Sequence, residues 1–129
     1  MKTVEVVAAA VVRDGLLFAT RRASGPWAGW WEFPGGKVEA GEGREEALRR
    51  ELREELSLEV EIQGFVATVD YDYPDFHLTM HLYRCRPLGE PILLEHSGSR
   101  WLGAAELDSL RWLPADLAVL PRLAPLLEG

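Results

Sequence analysis

PGGKVEAGEGREEALRRELREEL, running from Pro34 to Leu56, crowds Glu51, Glu54 and Glu55 into the end of one helical segment. Like charges three or four residues apart repel, weakening a helix by roughly a few tenths of a kcal/mol per pair. Either these carboxylates are simply solvated, or something positive sits among them. At about 100° of rotation per residue, Leu48, Leu52 and Leu56 form one stripe and the three glutamates a second face. Glu46, Arg49 and Arg53 take the third. The spacing predicts a helix over 44–56 with three faces, where an ordinary surface helix has two. Its leucine stripe is the face for the core. The preceding GGKVEAGEG is too rich in glycine for a regular element, and its backbone can approach an ion or a phosphate closely. A hard cation such as Mg²⁺ takes oxygen ligands and bridges carboxylates to phosphates. Carboxylates at i, i+3 and i+4 offer such ligands from one rigid element.

Outward from this stretch, the pattern mixes strands and helices. Residues 4–12 are rich in Val and Ala and read as a buried strand. Asp14-Gly15 marks a turn, and LLFATRR reads as the partner strand. A loop with Trp27 and Trp30 leads to a short β-prone WEF, which Pro34 stops. After the helix come LEVEIQGFVATVDYDY and FHLTMHLYRCRP, two strands joined at Pro74-Asp75. A long loop reaches a short strand at RWL, AAEL is a helical turn, and LPADLAVLPRLAPLL is a terminal helix that Pro121 and Pro125 should kink or shorten. No regular βαβ repeat appears, so the expected class is mixed α/β (α+β), a mixed sheet sandwiched between helices. Trp31, Trp101 and Trp112 suit the core or a pocket wall, while Trp27 and Trp30 suit a lid or an interface.

The chain has 129 residues, of which 47% are hydrophobic, so one domain over 1–129 is the expectation. A formal charge of −7 argues against nonspecific nucleic-acid binding. It leaves room for an anionic small molecule that a metal or a local basic cluster neutralises. The single cysteine, Cys85, excludes an intrachain disulfide framework and reads as a buried strand thiol. The apolar N-terminus is interrupted by Glu5 and closed by Arg13-Asp14-Gly15, too early for a membrane span. A cytoplasmic location fits.

Gly36, five residues, Glu42, seven residues, then RELREELSL resembles the Nudix box, whose pattern is matched at Gly36, Glu42, Arg50, Glu51, Leu52, Glu54, Glu55 and Leu58. Ser57 stands where the family has glycine. WEFPGGKVEAGE, TRR before the box, DYDYPDFHLTMHLY after it, the GEP…E loop and LPAD look like the MutT branch of that family, the nucleoside triphosphate pyrophosphohydrolases. The resemblance, over nearly the whole chain, implies a Nudix fold with its box at residues 36–58. It implies Mg²⁺-dependent conversion of a nucleoside triphosphate to the monophosphate and pyrophosphate, with Mn²⁺ as an alternative ion. It also implies a small nucleotide as partner, with no stable nucleic-acid or membrane partner, and a monomer or homodimer. Another nucleoside diphosphate-linked substrate, or a nucleotide sensor without catalysis, are the rival readings.

Residue by residue, the resemblance implies metal binding by Glu51, Glu54 and Glu55, helped by the Gly35 carbonyl and by Glu95 in LLEHSG. Glu51, Glu54 and Glu95 are the catalytic candidates, with Glu51 or Glu95 as the base that activates water. Glu42 and Arg50, with Gly36, would hold loop against helix. Arg22 and Lys37 are candidates for the phosphates or the nucleotide, Phe33 for packing beside the base, and His77 for a nucleotide contact. Asp116 in LPAD matches a base-reading position where MutT itself carries Asn. An ionised Asp only accepts hydrogen bonds, which would favour a base that presents NH groups, unless burial keeps the carboxyl protonated. Cytosine and oxidised purines, as in CTP and 8-oxo-dGTP, both fit. Ser57 is expected to be strained in the left-handed region, or else to shift the helix end.

Overall fold

The computed structural model describes residues 1–127. The strands are β1 (Lys2–Arg13), β2 (Leu16–Arg21), β3 (Trp31–Glu32), β4 (Gly35–Lys37), β5 (Val60–Tyr73), β6 (Phe76–Pro87) and β7 (Gly98–Leu102). The helices are α1 (Arg44–Leu56), α2 (Pro114–Leu117) and α3 (Leu120–Leu127), with a 3₁₀ segment at Ala104–Ser109. β1 lies parallel to β6, from Lys2 opposite Phe76 to Val11 opposite Cys85. Every other strand pair is antiparallel, so the sheet is mixed as expected. β4 and β6 flank β1, β5 forms the outer edge beyond β6, and the β1–β2 hairpin leads to β3 and β7. Among the described residues no helix is long and apolar enough to cross a membrane.

β1 is buried on both faces, which is why its sequence is nearly continuous Val and Ala. Val7, Ala9 and Val11 point to one side, where they meet Leu48, Leu52, Leu56 and Leu58 in one cluster. Ala8 and Ala10 point to the other side, toward Trp112, Val119, Leu120, Leu123 and Leu127. The leucine stripe of α1 is fully buried, and each such side chain stabilises the packing by about 1.5–3 kcal/mol. Cys85 is buried in the α1-side cluster. The terminal helical stretch divides into α2 and α3, with Pro114 and Pro121 in their first turns and Pro125 inside α3.

The glycine-rich loop departs from expectation. Gly35–Lys37 forms β4, paired with Val6, Val7 and Ala8 of β1. Glycine makes this possible, because a Cβ on Gly35 would overlap the Val7 carbonyl. A loop that lacks side chains can therefore add a short strand where a bulkier sequence could not.

Ser57 adopts φ 49°, ψ 40°, the left-handed conformation expected where the box has glycine. Its N–H donates to the Arg53 carbonyl at 3.0 Å, and the Leu58 N–H to Leu52 at 3.2 Å, so the helix end is not shifted. A non-glycine residue in this region costs roughly 1 kcal/mol. Ser57→Gly should therefore raise Tm by about 2–4 °C without altering turnover. Thermal melts check this, and a fall in Tm would show that Ser57 carries no such strain.

Candidate active site

The N-terminal loop of α1 and its acidic face are tied together by one guanidinium. Arg50 donates to Glu42 through Nε (2.7 Å) and Nη2 (2.9 Å). Nη2 also reaches the Lys37 carbonyl at 3.0 Å. Nη1 donates to Glu51 at 2.9 Å and to Glu54 at 3.2 Å. Arg50 is thus a positive group among the crowded glutamates. Its hydrogen bonds hold the Glu42 carboxyl below the usual carboxylate range. Gly36 completes this contact, since a Cβ there would overlap the Glu51 carboxylate.

Glu54 is exposed, whereas Glu51 and Glu55 are largely covered, each with a side chain 15% exposed. Burial, followed by the charges of Glu51, Glu32 and Glu95, pushes Glu55 up to about 8. Burial is also the main cause raising Glu51. Among the described residues, Glu55 Oε2 is buried without a hydrogen-bond partner. The buried, unpartnered oxygen of Glu55 beside other carboxylates suits a hard divalent cation, which would supply the missing positive charge, although among the described residues no three such groups are already gathered around one point. Glu95 is exposed in the loop between β6 and β7, close enough for its charge to act on Glu55.

Of these carboxylates, Glu55 lines a cleft of about 750 Å³. Arg22, Phe33, Gly35, Lys37 and Asp116 all line it, as do Gly36 and Glu55. Trp27 and Trp30 form part of its wall together with Tyr73 and Phe76. Trp27 meets Trp30 edge-on at 4.8 Å, and Tyr73 stacks on Phe76 at 5.1 Å and 20°. Such a wall offers aromatic faces to a planar ring. Asp116 is 5% exposed and accepts the Phe33 N–H at 2.8 Å. Burial pushes its carboxyl up to about 8, so near neutral pH it keeps a proton and can both donate and accept. That direction favours the protonated alternative over the ionised one.

His77 is not brought to the cleft. Successive strand residues point to opposite faces, and the cleft takes Phe76, Leu78 and Met80 of β6. The His77 ring instead lies between Asp72 (2.6 Å) and Asp70 (3.0 Å). The alternation of Phe76, Leu78 and Met80 with His77, Thr79 and His81 decides this.

Two residues near the glutamates were not singled out from sequence. Glu32 accepts from Arg22 Nη1 at 3.0 Å. His96, with a side chain 7% exposed, places Nε2 3.4 Å from Glu32 and 3.9 Å from Glu55. The available signals were a lone acid between the aromatics Trp31 and Phe33, and a histidine directly after Glu95.

The chain has relatives among known proteins. The NUDIX domain model matches residues 1–125. A Mycobacterium tuberculosis protein named "Putative 8-oxo-dGTP diphosphatase 2" is 43% identical over 130 residues, covering 96% of this chain and 90% of that protein. The CTP pyrophosphohydrolase of Escherichia coli is 38% identical over 133 residues, covering 93% of this chain and 90% of that protein. The crystal structure of a MutT NUDIX hydrolase from Burkholderia pseudomallei superposes with a TM-score of 0.87 at 29% identity, covering 95% of this chain and 99% of that one. Hydrolases of this family generally use divalent metal ions. The chain belongs to the Nudix family and is one of its hydrolases.

Proposed function

We propose that this enzyme is a Mg²⁺-dependent pyrophosphohydrolase of nucleoside triphosphates that sanitises the nucleotide pool. The observation that carries this is the junction of carboxylates and cleft. Glu55 lines the same 750 Å³ space as the aromatic wall and Asp116. Names of relatives that act on 8-oxo-dGTP and CTP support the substrate class. In the reaction, a water oxygen bonds to one phosphorus of the bridge between the first and second phosphates, the bridging oxygen leaves on the other phosphorus, and the water's protons pass to a carboxylate and on to solvent, giving monophosphate and pyrophosphate. A bound divalent ion would neutralise phosphate oxygens and lower the pKa of water.

The chain's own groups supply the rest. Glu51, Glu54 and Glu55 would hold the ion, with the Gly35 backbone beside them. Arg22 and Lys37 bring positive charge to the cleft for the phosphates. The base would stack against the aromatic wall while Asp116 reads its edge. Glu51 or Glu95 would accept the proton, whichever comes within hydrogen-bond reach of the water. A protonated Asp116 matches both a cytosine edge and an oxidised purine edge.

A panel of canonical, 8-oxo and 5-substituted triphosphates, with pyrophosphate measured, tests the assignment. Pyrophosphate should appear only with Mg²⁺ or Mn²⁺. Binding without release of pyrophosphate would make the protein a sensor. The double variant Glu54→Gln with Glu55→Gln should lose on the order of a hundredfold or more in turnover and keep its fold. Full metal-dependent turnover in that variant would sink the metal-site assignment.

Asp116 adds a pH prediction. Its folded value of about 8 lies above its ordinary 3.8. Between these values the folded protein retains a proton that the unfolded chain has released. The contribution is full below the lower value, and stability falls as pH rises toward the upper one. Asp116→Asn keeps an acceptor for the Phe33 N–H and removes the titration. Its Tm between pH 5 and 9 in a chelator should therefore decline less than that of the wild type, and parallel curves would refute the assignment.

A further inference from the structure

His96 is a buried imidazole that the reaction as described does not use. It lies on the loop between β6 and β7, which is fixed to the end of α1 by the Ile92 N–H on the Leu56 carbonyl (2.8 Å) and the Leu94 N–H on the Glu55 carbonyl (3.1 Å). This attachment brings the side chain to the edge of the carboxylate cluster. Nε2 stands between two carboxylates, 3.4 Å from Glu32 Oε2 and 3.9 Å from Glu55 Oε2. Among the described residues neither His96 Nδ1 nor Glu55 Oε2 has a hydrogen-bond partner. The other oxygen of Glu32 accepts from Arg22 in the cleft at 3.0 Å. A row Arg22–Glu32–His96–Glu55 thus runs from the cleft to the carboxylate cluster.

We propose that His96 is a positioning residue for Glu55, held in place by Glu32, which through its second oxygen also orients Arg22. One side chain, Glu32, then sets both the carboxylate that meets the metal and the cation that meets the nucleotide. A ligand oxygen has a defined position only when the groups behind it are fixed, and removing such outer groups weakens metal binding. The bland alternative is that His96 only fills space beneath the loop. The distances argue otherwise, because Nε2 is within ion-pair range of both carboxylates, a placement that space-filling alone does not require.

The inference rests on reading Glu55 as a metal-binding group, so the experiment measures Mn²⁺ affinity directly, by calorimetric titration without substrate. Glu55→Gln tests the underlying reading. If it binds Mn²⁺ as tightly as the wild type, the metal site itself is misassigned, whatever His96 does. With that control passed, His96→Phe, which keeps the ring volume and loses the nitrogens, should weaken Mn²⁺ binding about 10–100-fold. His96→Gln, which can present an amide nitrogen near the Nε2 position, should recover most of that loss. Should His96→Phe fail to fold, His96→Ala serves the same comparison. Affinity for CMP without metal should be unchanged in the His96 variants and reduced in Glu32→Gln, since only the latter alters the partner of Arg22. In a Glu32→Gln background the His96→Phe loss should shrink, because the two act as a unit. Unchanged or tighter Mn²⁺ binding in His96→Phe, a His96→Gln as weak as His96→Phe, or additive losses with Glu32→Gln would each overturn the proposal.

Discussion

The Arg50 guanidinium is the tie on which the site depends. Its nitrogens reach Glu42 in the loop, the Lys37 carbonyl at the end of β4, and Glu51 and Glu54 on α1. A flat, permanently charged fork can serve several oxygens at once, which an ammonium cannot do with the same geometry. It answers the repulsion among the glutamates only in part. Glu55, one turn beyond Arg50, receives no hydrogen bond from it, and burial among other carboxylates lifts Glu55 to about 8. The outer carboxylates are therefore balanced internally, whereas the innermost one, Glu55, is not.

That balance is useful only because the sheet aims it at the cleft. β1 carries core on both faces, with α1 against one and the terminal helices against the other. The cleft opens along the second face, past Val4, Val6, Leu78 and Met80, and reaches Glu55 beside Gly35 and Gly36. Glycine is a packing requirement at Gly35, and at Gly36 it leaves the Glu51 carboxylate in place. A side chain at Gly35 would collide with β1, and one at Gly36 would displace the Glu51 carboxylate. The glycine pair thus sets how closely the helix acids approach the strand that floors the cleft.

Legibility followed the range of each interaction. The helix over 44–56 was readable because its leucine stripe and its acids share one short period, and both ends agree with the structure. The long strands were readable from their apolar runs. β4 was not, because a glycine pair carries no side-chain pattern and its pairing depends on the contact with Val7. His77 lies on the face of β6 away from the cleft, and the alternation of Phe76, Leu78 and Met80 with His77, Thr79 and His81 carries that signal, which the resemblance overrode. Phe33 and Asp116 are 83 positions apart yet share a hydrogen bond, and they came to the same cleft through family resemblance rather than through any local signal. Glu32 and His96 lie inside stretches that resemble the family, WEFPGG and LLEHSG, but no chemical role marks them there, and only their proximity in space singles them out.

The end of α1 shows how one local choice spreads to the site. The last carbonyls of a helix need donors from outside it. Ser57 turns the chain into the left-handed region, and the N–H groups of Ser57 and Leu58 return to Arg53 and Leu52. Of the carbonyls of Glu54, Glu55 and Leu56 that remain, the loop after β6 satisfies the last two with Leu94 and Ile92. That loop also carries Glu95 and His96. The backbone of Glu55 is therefore held by the same segment whose side chains surround its carboxylate. A residue that ended the helix differently would redirect those carbonyls and, with them, the loop. The conformation at Ser57, rather than its lack of glycine, is what the site requires, and the strain it carries is small beside the contacts it permits.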